Sequence, residues 1–462
     1  MTNDTICALA TAPGGALAII RVSGPAAFSA VSALCTLCCD SIAANTVHYT
    51  SIKDGTDIVD EALLSVFRAP HSYTGEDSVE ISCHGSRYIT NKILELLVSH
   101  GCRMARPGEF TQRAYLNGKL DLSQAEAVAD LIASTNEATH RLAMSQLRGG
   151  ISTELSRLRD HLLHLTSLLE LELDFSDHED LEFADRSELL SLAQTIETHI
   201  ARLAKSFETG QALKLGIPVA IVGKTNVGKS TLLNRLLHDD RAIVSDVHGT
   251  TRDTIEDTID IQGVTFRFID TAGIRQTTDQ VEQIGIQRTY AAISKARIVL
   301  WLLDAVPTEA EVADMTARTS GKTLLPIINK ADQLSSSVVP HADALSSATV
   351  PYAAVLQQPP LLISAKTGQG LDTLEAAIFA AANLPAFSAS DIIITNARHY
   401  DALLRAHTSI QIVIDGLTSG FSGDLLSEDL RQTLDILAEI TGGQITPQET
   451  LNNIFSHFCV GK

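Results

Sequence analysis

The chain contains Gly223-Lys-Thr-Asn-Val-Gly228-Lys229-Ser230, a match to G-x-x-x-x-G-K-[ST], the phosphate-cradling P-loop. An apolar run over 217–222 precedes it and reads as a buried strand. Thr231-Leu-Leu-Asn-Arg-Leu-Leu follows and reads as the start of a helix. Few folds accept that combination. Glycine lets the backbone curl so that its N–H groups face an anion, and the helix N-terminus adds positive potential. In such a loop Asn226, Val227, Gly228 and Thr231 border the phosphates, Lys229 reaches the β- and γ-phosphates, and the Ser230 hydroxyl ligates Mg²⁺.

The surrounding segment, 214–384, alternates strands and helices, which implies a mainly parallel sheet. A hairpin is expected over 255–261 and 264–269 around Gln262-Gly263. Its second strand ends in Asp270-Thr271-Ala272-Gly273, where Asp270 suits the water shell of Mg²⁺ and the Gly273 N–H suits a γ-phosphate. Strands are expected over 298–303 and 324–328, and the latter runs into Asn329-Lys330-Ala331-Asp332. A carboxylate held at Asp332 accepts two hydrogen bonds from the N1–H and 2-amino group of guanine, a donor pair adenine lacks. Ser364-Ala365-Lys366, after an apolar run over 361–363, would close over the base. These motifs in this order imply a guanine-nucleotide-binding domain.

Between P-loop and hairpin lies Ser245-Asp-Val247-His-Gly-Thr250-Thr251. Thr251, the second of the pair, is the expected Mg²⁺ ligand when a γ-phosphate is present. In Ras-like GTPases a glutamine after the D-x-x-G turn orients the attacking water. Here that residue is Ile274, so another group must do so. Glu282 is the candidate, the alternative being a solvated glutamate at a helix start. The Asn226 side-chain carbonyl, with backbone carbonyls near Ser245 and Val247, could complete a cage for a monovalent cation.

Composition narrows the rest. A length of 462 residues suggests about three domains. No apolar run approaches the ~20 residues of a membrane span, and the N-terminus lacks the pattern of a signal peptide, so a cytoplasmic protein is expected. A formal net charge of −20 opposes broad electrostatic binding of nucleic acid, leaving any RNA contact local or shared with a partner. Cys35, Cys38 and Cys39 fall in what reads as an apolar helix, with no second pair at zinc-site spacing, and suit a buried structural role. Cys83-His84 reads as a loop pair without a partner motif.

Residues 1–118 read as an α/β domain, with strands over 5–11, 16–22 and 58–67 and helices over 25–37 and 88–99. Arg21, Glu80 and Lys119 sit oddly in or near this pattern, though each taken singly fits a solvated side chain. Residues 119–213 read as helical. Ser123-Gln-Ala-Glu126 has the form of a capping box, Gly149-Gly150 breaks the pattern, a run over 151–173 follows, and an acidic stretch from 174 precedes a helix ending near Gly210. Helical periodicity returns in 385–462, with Ser427 as a start signal and a carboxyl-terminal tail of the kind that usually frays. The helices on both sides of the nucleotide domain are expected to form one bundle into which that domain is inserted.

Asp4-Thr-Ile, Ile20-Arg21-Val-Ser-Gly, Tyr73-Thr-Gly-Glu-Asp, Arg106-Pro-Gly-Glu-Phe, Leu116-Asn-Gly-Lys119, Gly249-Thr-Thr-Arg-Asp and the tail Phe458-Cys459-Val460-Gly461-Lys462 together resemble the MnmE (TrmE) family of tRNA uridine-modification GTPases. The likeness spans nearly the whole chain. Thr225 stands where that family usually has proline and Val460 where it has isoleucine, and neither change removes a functional group. The resemblance implies an N-terminal folate-binding domain that dimerises, with 5-formyl-tetrahydrofolate contacts at Arg21, Glu80, Lys119 and Lys462. It implies K⁺-stimulated hydrolysis on dimerisation of the G domains, with K⁺ ligands at Asn226, Ser245, Val247 and Thr250 and the water-orienting acid at Glu282. It further implies a homodimer working with the flavoprotein MnmG to add an aminomethyl-type group to C5 of the wobble uridine of certain tRNAs, with the folate supplying one carbon. A direct chemical role for Cys459 is a further expectation. A regulatory or ribosome-assembly GTPase would use the nucleotide motifs but not Arg21, Glu80, Lys119 and the tail.

Overall fold

The structure, a computed structural model, describes residues 4–174, 186–239, 257–269, 282–305, 307–333, 359–384, 392–443, 448–456 and 458–461. The chain divides into two compact units. One comprises Met1–Ser134, His140–Lys205 and Asn396–Lys462; the other comprises Thr135–Thr139 and Ser206–Thr395.

The first unit opens with a six-stranded sheet. Strands β1 (Thr5–Leu9), β2 (Leu17–Ser23), β3 (Thr46–Asp54), β4 (Asp57–Phe67), β5 (Ser78–His84) and β6 (Cys102–Met104) lie in the order β3-β4-β5-β2-β1-β6. Only β1 and β6 pair in parallel. Alternation along the strands sends Ile20, Val22, Leu64, Val66, Val79 and Ile81 into one core with α1 (Ala27–Ser32) and α2 (Arg87–Ser99). Each such side chain contributes roughly 1.5–3 kcal/mol relative to exposure. The same period turns Arg21 and Glu80 to the opposite face, where the register places them side by side on β2 and β5.

Three local expectations change here. The helix expected over 25–37 stops at Ser32, because the backbone beyond it is claimed by the sheet: Cys35 bridges Ile52, and the Lys53 N–H donates to the Leu34 carbonyl at 2.7 Å. Cys35, Cys38 and Cys39 therefore lie beyond α1, with Cys39 opening a short 3-10 turn (Cys39–Ser41), and Cys38 is exposed. Cys83-His84 ends β5 instead of a loop, with Cys83 buried and His84 paired to Asp60 at 2.8 Å.

Helices α3 (Glu109–Leu116), α4 (Leu122–Ala133), α5 (Glu137–Leu147), α6 (Gly150–Asp174) and α7 (Arg186–Leu215) follow. The capping box exists two residues earlier than expected. Asp121 is the N-cap and accepts from the Gln124 N–H at 2.9 Å, while the Gln124 side chain accepts from the Asp121 N–H at 2.9 Å. Ser123 lies inside the helix and donates to Asp121, which wins because a carboxylate is the stronger acceptor at this end. Gly210 lies within α7 rather than at its end. A Cβ there would stand 2.1 Å from the Ile394 carbonyl oxygen, so its glycine serves close packing. The acidic stretch lies outside the described residues from 175 onward.

The second unit is built on a six-stranded sheet of β7 (Ile217–Gly223), β8 (Asp257–Ile261), β9 (Val264–Phe268), β10 (Ile298–Leu303), β11 (Thr323–Ile328) and β12 (Leu361–Leu362), in the order β12-β11-β10-β7-β9-β8. All neighbours are parallel except the β8–β9 hairpin, which turns at Gln262 and Gly263 with φ 53° and 78°. Helices α8 (Lys229–Asp239), α9 (Glu282–Lys295), α10 (Glu309–Arg318) and α11 (Leu371–Ala381) complete the doubly wound pattern. The segment Thr135–Thr139 joins this unit through Asn136, whose Nδ2 donates to the Thr265 hydroxyl at 2.6 Å, and through Ala138 N–H to the Gly263 carbonyl.

After the nucleotide unit come α12 (Ala397–Ser419), α13 (Gly423–Thr441) and α14 (Gln448–Ser456). Helix α13 begins at Gly423 behind Ser422, so Ser427 lies buried in its second turn and is not a start signal. Helix α6 packs on α13, which also meets α4 and α12. A buried ionic cluster fastens them. Glu126 on α4 accepts from His399 Nε2 at 2.7 Å and from Arg398 Nε and NH2 at 3.0 and 2.9 Å, and Arg398 also donates to the Glu439 and Ile440 carbonyls of α13. Burial alone would raise the Glu126 carboxyl, but His399 and Arg398 outweigh it and hold it at about 2, against an ordinary 4.5.

A depressed carboxyl contributes stability that is present above its unfolded value and lost as pH falls through the folded value. This cluster is therefore expected to lose about 3 kcal/mol between pH 4.5 and 2. Urea titrations of wild type and Glu126→Gln measure it: the difference between them should shrink across that window. Parallel curves would mean that Glu126 is not ion-paired.

Candidate functional site

The P-loop is shaped by contacts that its own sequence pattern does not show. Asn226 holds a left-handed φ of 62°, and Val227 is buried beneath the loop. Gly228 has φ 102°, and a Cβ there would lie 2.3 Å from Asn329 Nδ2. Glycine is needed at that position for conformation and for space. Lys229, Ser230 and Thr231 form the first turn of α8, whose free N–H groups point back at the loop. The Lys229 ammonium donates to the Gly223 and Lys224 carbonyls at 2.7 and 2.8 Å, so the loop curls around it, and burial lowers its pKa.

Asn329 organises the other side of the P-loop mouth. It is buried at the end of β11, donates through Nδ2 to the Val227 carbonyl at 2.8 Å and accepts through Oδ1 from the Ala365 N–H at 2.9 Å. One side chain thus ties the P-loop to the Ser364-Ala365-Lys366 turn. Asp332 sits on the short turn Ala331–Gln333 and accepts from the Ser364 hydroxyl at 2.6 Å, a bond that holds its carboxyl below the usual range. Lys330 takes a left-handed φ of 64° and pairs with Asp304 at 3.1 Å. The structure therefore gathers Asn226 to Thr231, Asn329, Lys330, Asp332 and Ser364 to Lys366 around one mouth. Ser245, Val247, Thr250, Thr251, Asp270, Thr271, Ala272, Gly273, Ile274 and Lys462 lie outside the described residues. Glu282 is the first residue of α9, and its side chain also lies outside the description.

A second site lies in the first unit. Arg21 and Glu80, neighbours across β2 and β5, pair at 2.7 Å and are largely buried instead of solvated. The Arg21 guanidinium stands 5.2 Å from the Tyr73 ring centre and 5.6 Å from that of Phe110. A cavity of about 80 Å³ opens beside them, lined by Arg21, Phe67, Tyr73, Thr74, Ser78 and Glu80. Lys119 reaches the adjoining loop, donating to the Pro70 carbonyl at 3.0 Å.

The tail completes this site, where fraying was expected. Val460 bridges Pro107, the Gly108 N–H donates to the Cys459 carbonyl at 3.3 Å, and Arg21 NH1 donates to the Gly461 carbonyl at 3.3 Å. Gly461 is buried with φ 94°, and a Cβ would lie 2.3 Å from the Leu9 carbonyl oxygen. Cys459 itself is exposed.

Sequence reasoning missed the support of this pocket. Arg113, buried on α3, donates to Asp4 at 2.7 Å and to both Glu76 carboxylate oxygens at 3.2 Å; Arg103 binds Asp4 and Glu109. Burial raises the Asp4 and Glu109 carboxyls, but the two arginines outweigh it and leave both lowered. The motifs Asp4-Thr-Ile, Tyr73-Thr-Gly-Glu-Asp and Arg106-Pro-Gly-Glu-Phe thus meet in one network that holds the Tyr73 loop. Their shared richness in acids and arginines was the available signal.

Residues 5–119 match the family model of the GTP-binding protein TrmE N-terminus, and residues 122–459 match that of the MnmE helical domain. The tRNA modification GTPase MnmE of Phocaeicola vulgatus is 52% identical over 100% of this chain and 99% of its own length. Those of Bacteroides thetaiotaomicron and Christiangramia forsetii are 52% and 51% identical, each over 100% of this chain and at least 99% of their own. With its intact P-loop and guanine-reading motifs, this GTP hydrolase belongs to the MnmE family of tRNA modification GTPases.

Proposed function

We propose that the protein couples GTP hydrolysis to the addition of an aminomethyl or carboxymethylaminomethyl group at C5 of the wobble uridine of certain tRNAs, working with the flavoprotein MnmG and drawing one carbon from a reduced folate. The observation that carries this is the docking of the tail onto Arg21, beside Glu80 and an aromatic-walled cavity. A GTPase that only switched a partner would have no use for such a site.

The donor set fits 5-formyl-tetrahydrofolate. Glu80 can accept from the N–H groups of a pterin edge, Arg21 and Lys119 can donate to its oxygens, and Phe67 and Tyr73, which line the cavity, offer ring faces. The enclosed part takes only a heterocycle edge, so the rest of the cofactor would cross the open mouth. Bound there, the folate supplies an activated one-carbon unit. Cys459, exposed on the tail, is the nearest nucleophile in sequence to Lys462 and has no other evident use.

In the nucleotide unit, Ser230 and Thr251 would hold Mg²⁺, and Asn226, Ser245, Val247 and Thr250 would hold K⁺ opposite the bridging oxygens. Asn226 supports this: it lies within the P-loop with a left-handed backbone, in the segment that would wrap the phosphates. A homodimer is supported by the outer face of the N-terminal sheet, where Leu17, Val47, Tyr49 and Leu63 are 69%, 60%, 69% and 45% exposed. A heterotetramer with MnmG would let a partner share the tRNA contact that a net charge of −20 disfavours. A cytoplasmic location fits these partners; among the described residues no helix is long and apolar enough to cross a membrane.

Calorimetric titration with 5-formyl-tetrahydrofolate tests the pocket. Wild type is expected to bind, and Arg21→Met, which leaves Glu80 without its partner, to bind about a hundredfold more weakly. Equal affinity would remove Arg21 from the site. Absence of binding to wild type would favour a regulatory or assembly GTPase.

A further inference from the structure

The connection from β4 to β5 walls one side of the pocket beside Arg21, and its backbone is fastened at several points. The Ala69 N–H donates to Asp77 at 2.9 Å, Asn117 Nδ2 donates to the Thr74 carbonyl at 2.7 Å, and Arg113 holds Glu76 at 3.2 Å. The hydroxyls that line the cavity are fastened too. Thr74 shares a hydrogen bond of 2.7 Å with Ser23, and Ser78 donates to Ser23 and to the Glu76 carbonyl at 3.2 Å each. None of these contacts acts on the Tyr73 ring.

The ring is held from α3. The Tyr73 and Thr111 hydroxyls share a hydrogen bond of 2.8 Å, and Thr111 is fully buried. Two successive residues of one helix thus border Arg21. Phe110 places its ring 5.6 Å from the guanidinium, and Thr111 holds the Tyr73 ring 5.2 Å from it. The guanidinium is fixed by Glu80, through Nε at 2.9 Å and NH2 at 2.7 Å, and by the Gly461 carbonyl through NH1 at 3.3 Å. Tyr73 is 37% exposed, so packing confines it on one side only and the hydroxyl tie decides where the ring stands. Fixing the far end of a tyrosine fixes both of its side-chain torsions.

We propose that Thr111 is a positioning residue of this pocket: its hydroxyl holds the Tyr73 ring against Arg21, so that the slot is formed before the cofactor enters. The assignment rests on the reading of the pocket as a reduced-folate site. Thr111 is buried too deeply to touch the cofactor and acts only through Tyr73. A wall already ordered spares the ligand the cost of ordering it, a factor of roughly two to ten in affinity for one side chain. Valine fills the space of threonine without the hydroxyl, so Thr111→Val frees the ring and leaves the helix packed.

The test is calorimetric titration of the full chain with 5-formyl-tetrahydrofolate, alongside thermal melting. Wild type is expected to bind, Thr111→Val to bind about fivefold more weakly, and Thr111→Ser, which keeps the hydroxyl, to bind within about twofold of wild type. Tyr73→Phe removes the same hydrogen bond from the other end, at a partly exposed position, and reports on it should Thr111→Val not fold. It should match Thr111→Val, and the double variant should bind no more weakly than either single one. A lowered melting temperature in Thr111→Val with wild-type affinity would mean a structural role alone and would overturn the proposal. Losses that multiply in the double variant would overturn it as well, because they would come from two separate contacts. Wild type that does not bind overturns the folate reading and this assignment together, whereas wild-type binding matched by Tyr73→Phe and Thr111→Val overturns the assignment alone.

Discussion

Replacing Asp332 with asparagine is expected to lower affinity for GTP by at least about a hundredfold and to shift preference to xanthosine triphosphate. One oxygen of the carboxylate is occupied by the Ser364 hydroxyl at 2.6 Å, which aims the other at the base. Because that bond also keeps the carboxyl below its usual range, Asp332 is an anion throughout the neutral region, able to accept from both guanine donors in the proposed site. An asparagine turns an amide N–H toward the guanine 2-amino group, donor against donor. Xanthine presents a carbonyl at C2 and accepts that N–H. Ser364 and Asn329 keep the turn in place in either case, so the variant should fold. Competition titrations with the two nucleotides measure the switch, and an unchanged preference for GTP would place base reading elsewhere.

Replacing Glu282 with alanine is expected to slow hydrolysis by about 10³-fold or more while leaving GTP affinity within a few-fold of wild type. The reasoning is by chemistry and chain position. Ile274 follows the D-x-x-G motif and cannot hydrogen-bond water, and Glu282 is the first residue of α9. Orienting the water changes the barrier and not the ground state. Single-turnover rates in KCl, with NaCl as the matched comparison for the proposed cation cage, provide the measurement. Undiminished turnover in Glu282→Ala would assign the water to another group, and equal rates in the two salts would remove the cage.

Much of the nucleotide unit was legible because its chemistry is local. A loop that wraps phosphate must have Gly228 and Lys229 next to a helix start, and a guanine reader must end a strand with Asn329 and Asp332. The second site was not legible in this way. Arg21 and Glu80 are 59 positions apart, and their pairing depends on the register of β2 against β5, which no window of sequence contains. The tail is farther still: Gly461 meets Arg21 across 440 positions. Resemblance alone had joined these residues. Local signals also misled where tertiary packing decided. Ser123 and Ser427 have the composition of helix starts, yet Asp121 and the turn before Gly423 set those starts. Gly210 reads as a stop but makes room for the Ile394 carbonyl.

The claim that most needs testing is that GTP turnover and the Arg21 pocket serve one reaction at the wobble uridine. Nucleoside mass spectrometry of total tRNA measures this in cells that lack the gene and in the same cells complemented with wild type or Arg21→Met. Deletion is expected to abolish the C5 aminomethyl-type uridines, wild type to restore them, and Arg21→Met to restore almost none despite normal GTP hydrolysis by the purified variant. Full wobble modification in the deletion strain, or full restoration by Arg21→Met, would contradict the account.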